Sequence, residues 1–219
     1  MDDIIITNKS VKTLYNTRFL NMFDIQYKEG KHYFEATRRE LDDVVALKSE
    51  SERKNLIPDA VTVGIVLHLK DEEPKLLMTY EYRYAVSEFL LSPVAGLIDP
   101  EDKNSGNALV TASIREIKEE SGLEFNEKTD SIYVVNPCAF SSPGMTDESN
   151  AFVWADIYIE DLGALNHEGA VGSEIFDGFE LLDMASAKVA YKEGRDKNGH
   201  FFSLATWAVL GYFINNYQD

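Results

Sequence analysis

The segment ALVTASIREIKEESG, residues 108–122, constrains the fold most, because it is a long helical pattern in a chain otherwise rich in strand-like runs. Its apolar residues recur at roughly helical spacing and would form one buried stripe: Leu109, Ala112, Ile114 and Ile117. Asn107 or Ser105 could cap its start, and Gly122 stands where a helix commonly ends. The pattern predicts a helix over 108–122.

Runs of β-branched and aromatic residues surround this helix and predict strands. The strand predictions cover residues 61–69, 75–84, 131–140, 151–159 and 174–182. Two further helices are predicted over 184–194 and 203–216, the second mostly buried. Strands with interspersed helices are typical of an α/β or α+β fold.

Residues 1–57 differ in character from the rest of the chain. The aromatic-rich runs RFLNMFDIQY and HYFEATRRE flank KEGK, which predicts an antiparallel β-hairpin. The charged segment SESERKN, residues 49–55, then breaks the pattern. We therefore expect an N-terminal β-strand segment over 1–57 and a main domain over 58–219.

Composition excludes several classes of partner. With 21 basic and 38 acidic residues among 219, the formal net charge is -17, which argues against nucleic acid or an anionic membrane surface as the main partner. A polyanionic substrate would need cations in order to bind. The single cysteine, Cys138, rules out an intrachain disulfide. With no signal-peptide pattern and no run long enough to span a bilayer, these features favour a cytoplasmic protein.

Three glutamates share one face of the predicted helix. Glu116, Glu119 and Glu120 stand at positions i, i+3 and i+4, where like charges destabilise an isolated helix. A hard divalent cation such as Mg²⁺ binds carboxylate and phosphate oxygens and would offset this repulsion. The alternative is an ordinary solvated face, because glutamate is a good helix former.

The end of this helix resembles the signature of the Nudix hydrolases, G-x5-E-x7-R-E-U-x-E-E-x-G-U, in which U is a bulky aliphatic residue. Every fixed place of its second half is filled, by Arg115, Glu116, Ile117, Glu119, Glu120, Gly122 and Leu123. Gly96 matches the opening glycine. The resemblance implies an α/β/α sandwich with the signature on a loop and helix.

The first half of the signature departs from the family pattern. Asp102 stands where a glutamate is expected, and twelve residues rather than seven separate it from Arg115. Counting back from Arg115 instead places Asn107 at the glutamate position. A loop insertion within residues 100–107 is the simplest interpretation. Ser92 also occupies a place that is usually acidic in the ADP-ribose pyrophosphatase branch.

The family resemblance implies roles for the signature residues. Glu116, Glu119 and Glu120 would bind Mg²⁺, or Mn²⁺, with the carbonyl of Ala95 as a possible further ligand. Arg115 would orient the glutamates, although an ordinary i, i+4 pair with Glu119 is the alternative. Bound metal would neutralise a diphosphate and activate the attacking water.

The flanking sequences are similar to the ADP-ribose pyrophosphatase branch of the family. YEYRYAV, residues 80–86, precedes PVAGLID, and SPGMTDE follows the signature. The resemblance implies that Glu148 is the general base or orients the water, with Glu120 as the alternative. We also expect Arg83 to bind a phosphate or another part of the substrate, and Gly96 to contribute to substrate binding; a structural salt bridge is the alternative for Arg83.

The N-terminal segment is similar to strands that exchange across a homodimer in that branch. YFEATRRE implies a stacking aromatic at Phe34 and a phosphate-binding Arg39, with Phe19 on the second side of an adenine. Plain core or interface roles are the alternative for both phenylalanines. The expected partners are a small nucleoside diphosphate sugar and a second copy of the chain.

The resemblance therefore implies Mg²⁺-dependent hydrolysis of ADP-ribose, or a related nucleoside diphosphate sugar, to a nucleoside monophosphate and a sugar phosphate. Other nucleotide sugars and dinucleotides are the nearest alternatives. A non-catalytic nucleotide sensor and an unrelated acidic α/β domain are the others. The retained glutamates disfavour the sensor, and the number of matched positions disfavours the unrelated domain.

Overall fold

Ten strands and five helices form the regular structure of residues 4–217, the part of the chain that the computed structural model describes. The strands are β1 Val11–Asn16, β2 Asn21–Lys28, β3 Lys31–Thr37, β4 Ala60–Leu69, β5 Lys75–Arg83, β6 Glu88–Ser92, β7 Val94–Leu97, β8 Ser131–Phe140, β9 Ser149–Ile159 and β10 Phe176–Leu182. The helices are α1 Glu50–Lys54, α2 Pro100–Lys103, α3 Ala108–Ser121, α4 Met184–Glu193 and α5 Leu204–Asn216.

The chain divides into two compact units. The first contains the residues up to Asp59 together with Cys138–Asn150, and the second contains Ala60–Pro137 and Ala151–Asp219. The N-terminal part of the first unit ends close to the expected boundary after residue 57. Cys138–Asn150 lie some eighty residues further along the chain but belong to the same unit, which sequence order does not predict.

The first unit is built on an antiparallel sheet, β1-β2-β3. Strands β2 and β3 form the predicted hairpin, and Gly30 adopts φ +64 at its turn, where glycine carries no Cβ penalty. One face buries Val11, Phe23 and Ile25 against Val44. The other face leaves large apolar side chains exposed, so the described residues 4–217 cover this sheet on one side only.

The second unit holds a sheet in the order β10-β5-β4-β9-β8, with β6 paired to β5 and β7 paired to β4. On one face, Ala112 and Ile117 of α3 pack in a core cluster with β4 residues such as Ile65. On the other face, Leu210 and Phe213 of α5 pack in a second cluster. Helices on both faces explain why the β4 run is apolar almost throughout. The predicted α/β/α architecture is confirmed.

Local signals fix the ends of α3. The Asn107 side chain accepts a hydrogen bond from the Val110 amide, and Gly122 takes the left-handed conformation, φ +74, at the C-terminal end. The helix prediction is therefore confirmed. The preceding segment is not simply a loop, because Asp99-Pro100 begins the short helix α2.

Helix α5 is mostly apolar and only partly buried. Thr206, Val209, Leu210 and Phe213 are buried, whereas Leu204 and Trp207 are exposed. No helix within residues 4–217 has both the length and the apolar character needed to cross a bilayer.

Candidate active site

Two of the three predicted metal-binding glutamates are buried on α3. Glu116 is 5% exposed and Glu120 is 2% exposed, whereas Glu119 lies nearer the surface. An ionised carboxylate is costly in such surroundings unless it is paired with a cation or well hydrogen-bonded. The helix therefore presents carboxylates that the fold alone leaves poorly compensated.

Glu120 is the least compensated of the three. Its Oε1 accepts a long hydrogen bond from the Ala95 amide at 3.4 Å, and its Oε2 is buried without a hydrogen-bond partner. Burial, followed by the charges of Glu81 and Glu116, raises the pKa of Glu120 to about 9. A bound divalent cation would reverse this effect, because it would favour the ionised form.

Gly96 leaves the space that Glu116 occupies. A Cβ at position 96 would lie 1.9 Å from Oε1 of Glu116, far inside van der Waals contact. The opening glycine of the signature thus allows β7 to approach the carboxylate. Burial raises the pKa of Glu116 to about 7, although neighbouring Arg115 opposes the shift.

Replacing Gly96 with alanine should displace the Glu116 carboxylate and weaken divalent-cation binding at least about tenfold, the smallest loss typical of disturbed ligand orientation. Isothermal titration with Mn²⁺ would measure the change. Gly106→Ala is the matched control, because a Cβ there meets nothing within 4 Å. Equal Mn²⁺ affinity in the two variants would contradict this account of Gly96.

Arg115 holds the glutamates from one side. Its Nη1 donates to Glu116 Oε1 at 2.7 Å and to Glu119 Oε2 at 3.0 Å, while Nη2 donates to the Leu97 carbonyl at 2.8 Å. Burial alone would lower the pKa of Arg115, but Asp102 and Glu116 raise it overall. Arg115 is therefore a permanent cation that orients two carboxylates, more than a simple i, i+4 pair.

Asp102 takes the place of the expected signature glutamate. It is buried at the end of α2, and its Oδ2 accepts from Arg115 Nη2 at 2.9 Å and from the Asp99 amide at 2.9 Å. Of the two residues that could stand at the glutamate position of the signature, Asp102 contacts Arg115, whereas Asn107 caps α3. A carboxylate therefore lies beside Arg115 although the spacing between the two residues differs from the family pattern.

The side chains do not form a ready-made metal cage. Among residues 4–217, no three or more His, Cys, Asp or Glu side chains are grouped so that they could hold a metal ion. The Arg115 guanidinium donates hydrogen bonds to one oxygen of Glu116 and one of Glu119, and Glu120 accepts a hydrogen bond from the Ala95 amide. Mg²⁺ commonly uses only one or two carboxylates plus water and substrate phosphates. The donor chemistry and the unpartnered Glu120 oxygen therefore fit a divalent cation that assembles its ligands on binding.

Two acids missed in the sequence lie close enough to influence this site. Glu81 on β5 is nearly buried; burial, opposed by Arg83 and reinforced by Glu174, raises its pKa. Glu174, just before β10, also contributes to the raised pKa values of Glu116 and Glu120. No local motif marks either residue, because both are distant from α3 in the sequence. Arg83, the predicted substrate ligand, forms an ion pair with Glu81.

The loop after β9 supports the C-terminal end of α3. His167 Nδ1 lies 2.6 Å from the Glu120 carbonyl, and the Asn166 amide donates to the Ser121 carbonyl at 3.0 Å. The His167 ring is stacked on both Phe176 and Phe179. These contacts fix the helix turn that carries Glu119 and Glu120.

Glu148, the predicted base, belongs to the first unit. Its Oε1 accepts a hydrogen bond from Arg38 Nε at 2.9 Å in a partly exposed ion pair. Its neighbours Asp147 and Ser149 are buried; the Val45 amide donates to Asp147 Oδ2 at 3.0 Å. Glu148 is therefore held at the end of a well-anchored loop, and its catalytic role stays a prediction.

The other predicted residues of the first unit differ sharply in exposure. Arg39 is 8% exposed and its guanidinium contacts Asp59 at 2.8 Å and Asp43 at 3.2 Å. This geometry favours a structural ion pair, so phosphate binding by Arg39 stays a prediction. Phe34 and Phe19 are 59% and 68% exposed, and both could meet a ligand or a second chain.

Known proteins resemble this chain in sequence and in fold. The ADP-ribose pyrophosphatase of Saccharomyces cerevisiae (strain ATCC 204508 / S288c) is 27% identical over 157 residues, which cover 71% of this chain and 60% of the yeast protein. The crystal structure of an ADP compounds hydrolase superposes with a TM-score of 0.54 and 18% identity, covering 96% of this chain and 94% of that one. The chain has a Nudix fold.

The Nudix fold places the signature helix α3 against β7, where Gly96 opens the signature. The predicted resemblance to the ADP-ribose pyrophosphatase branch is confirmed. No family model matches the chain. The sequence match spans less than two thirds of the yeast protein, so its activity is carried over below only as a proposal.

Proposed function

We propose that this protein is a Nudix hydrolase that cleaves the diphosphate of ADP-ribose, or of a related ADP-sugar, with the help of Mg²⁺ or Mn²⁺. The products would be AMP and a sugar phosphate. The observation that carries the proposal is the buried carboxylate face of α3, where Glu120 has an oxygen without a partner. The similarity to the yeast enzyme supports the choice of substrate class.

The ligands proposed for the cation are oxygens of Glu116, Glu119 and Glu120, with the Ala95 carbonyl as a further one. When bound, the cation would neutralise diphosphate charge, polarise phosphorus and lower the pKa of water. Arg115 and Asp102 would keep the glutamates in place. Arg83 would bind a substrate phosphate through its planar fork once released from Glu81.

In the proposed reaction, a water oxygen bonds to one phosphorus while the bridging P–O bond breaks. A carboxylate accepts the water proton, and the departing phosphate takes the bridging oxygen. Glu148 is the acceptor that the loop sequence favours, and Glu120 is the alternative. Glu174 is a third candidate, because it lies in the same unit as α3 and its charge reaches Glu116 and Glu120.

The uncovered face of the N-terminal sheet supports a homodimer. Residues on the face opposite its core include Tyr15, Met22 and Phe34, which are all exposed. Contiguous exposed apolar surface commonly marks an interaction site. A second copy could cover this face and contribute Phe19 or Phe34 to an adenine pocket.

The dimer can be tested on the full-length chain. Light scattering after a sizing column should give the mass of two chains, and Phe34→Asp should shift it toward one chain. Lys31→Asp, on the same strand, is the control for an added acid. A single-chain mass for the unaltered protein would contradict the proposed dimer.

The function is tested by phosphate release, in the presence of added phosphatase, from ADP-ribose, ADP-glucose, other nucleotide sugars and dinucleotides. We expect ADP-ribose or another ADP-sugar to turn over fastest, only when divalent cation is present. Fastest turnover of a substrate without adenine would retain the mechanism but overturn the roles proposed for Phe34 and Phe19. Nucleotide binding without turnover of any substrate would favour the sensor.

A further inference from the structure

The central sheet of the second unit divides beside the signature helix. Strands β4 and β5 pair with each other only from Ile65↔Leu77 to Leu67↔Lys75. Toward the other end, β4 pairs with β7 at 60–63, whereas β5 pairs with β6 at 79–83. Ala95 on β7 and Glu81 on β5 therefore stand on different branches of the divided sheet.

Glu81 faces the same side of the sheet as α3. Side chains alternate along a strand, so Glu81 shares its face with Leu77. Leu77 packs in the core cluster that contains Ala112 and Ile117 of α3. The neighbouring Tyr80 packs in the opposite cluster, beside α5 residues such as Phe213. Glu81 is thus directed toward the layer that carries Glu116 and Glu120.

A separate observation concerns the carboxylate of Glu120. Glu120 is 2% exposed, and its Oε2 has no hydrogen-bond partner although Oε1 reaches the Ala95 amide. Among charged groups, Glu81 raises the pKa of Glu120 the most, ahead of Glu116 on the same helix. Two nearly buried carboxylates from different elements therefore repel each other, and Arg83 is the ion-pair partner of Glu81.

We propose that Glu81 is a further cation ligand, which shares a divalent cation with Glu120 and releases Arg83 when it does so. The inference rests on the proposed function and extends the metal site from the signature helix to β5. One or two carboxylates, with water and substrate phosphates, suffice for Mg²⁺. Release of Arg83 would couple cation binding to phosphate binding, because breaking the Glu81–Arg83 ion pair would free Glu81 for the cation and Arg83 for the phosphate.

The competing explanation is that Glu81 serves only to hold Arg83. The two ideas differ in what happens to cation affinity when the Glu81 carboxylate is removed. If Glu81 is a ligand, Glu81→Gln should weaken Mn²⁺ binding, whereas Arg83→Gln, which removes a competitor of the cation, should leave Mn²⁺ affinity unchanged or raise it. If Glu81 only positions Arg83, neither residue should affect Mn²⁺ binding.

The experiment measures Mn²⁺ binding to the full-length protein by the electron paramagnetic resonance signal of free Mn²⁺, without nucleotide. Wild type, Glu81→Gln, Arg83→Gln and Glu180→Gln would be compared. Glu180, on β10, is the matched control, because its carboxylate pairs with Lys197 and its strand partner Met78 lies in the cluster that contains Leu210 and Phe213 of α5. Thermal unfolding verifies that each variant is folded. Glu81→Asp, which keeps the charge on a shorter side chain, is the second variant should Glu81→Gln unfold.

We expect Glu81→Gln to lose one Mn²⁺ or to weaken its binding by about 10- to 100-fold, and Glu180→Gln to match wild type. Glu81→Asp should weaken binding less than Glu81→Gln does. Unchanged Mn²⁺ binding in Glu81→Gln, or in Glu81→Asp if only that variant folds, would overturn the proposal even if turnover fell.

This result is independent of the test of function. Wild-type protein that binds Mn²⁺ but hydrolyses no diphosphate would overturn the proposed activity, while the Glu81 variants would still decide the ligand. Wild-type protein that binds no Mn²⁺ would overturn both.

Discussion

Glu116→Gln is expected to lower cation-dependent turnover of the preferred diphosphate at least about 100-fold, because cation catalysis supplies several kcal/mol and each 1.4 kcal/mol is tenfold. Glutamine retains the shape of the side chain but removes the charge that would hold the cation. Arg115 Nη1 also loses a charged acceptor at 2.7 Å. Steady-state kinetics over a Mg²⁺ series would show the loss in kcat and a higher Mg²⁺ requirement.

Glu124→Gln is the matched control for that experiment. Glu124 is an exposed carboxylate just beyond α3 and pairs with Lys118 at 2.7 Å. Its removal should leave turnover within about twofold of wild type, since surface ion pairs contribute little. A Glu116→Gln variant as active as Glu124→Gln would remove Glu116 from the proposed cation site.

The second large effect concerns stability without divalent cation. Glu120→Gln should raise the melting temperature at pH 8, because folding of wild type must protonate, or bury without a partner, a carboxyl that is ionised in the unfolded chain. Each kcal/mol recovered corresponds to about 2–4 °C in a chain of this size. Differential scanning calorimetry in the presence of a chelator measures the shift.

The pH dependence of this effect has a definite sign. The pKa of Glu120 is raised to about 9, whereas an unfolded glutamate titrates near about 4.3. Between these values the folded state binds more protons, so wild-type stability should fall as pH rises from about 5 to about 9. The gain in stability of Glu120→Gln over wild type should therefore be large at pH 8 and nearly absent at pH 4.

Added Mg²⁺ should reverse the order of the melting temperatures, so that wild type melts at a higher temperature than Glu120→Gln. A ligand that binds the folded state stabilises it by mass action, and wild type retains the carboxylate that would bind. A Glu120→Gln variant that is less stable than wild type in chelator would contradict the idea of an uncompensated carboxylate at this position.

The sequence predicted the elements whose signals are local. Helix α3 carries its own cap, apolar stripe and terminal glycine, and the β2–β3 hairpin carries a glycine turn, so both were found with small boundary errors. Strand β1, VKTLYN, was missed because it is short and has few apolar residues. Helix α2 was missed because a four-residue segment that begins with a proline resembles a loop.

The parts of the site that depend on long-range pairing could not be predicted. Glu81 lies on the α3 side of the sheet because it shares a face of β5 with Leu77, and the sequence of one strand does not reveal which helix covers that face. The return of Asp102 to Arg115 depends on how five additional residues fold. Burial of Arg39 among aspartates depends on the loop 138–150, which the sequence places far from β3. The family resemblance of YFEATRRE implied an available phosphate ligand at that position.

The most direct test of the central claim is hydrolysis of ADP-ribose by wild type and Glu119→Gln across a Mg²⁺ titration, with a chelated sample as zero. We expect AMP and a sugar phosphate to form with wild type, to rise with Mg²⁺ to a plateau, and to disappear with chelator and in the variant. Equal turnover with and without divalent cation, or an active Glu119→Gln variant, would contradict the assignment of α3 as the cation-binding helix.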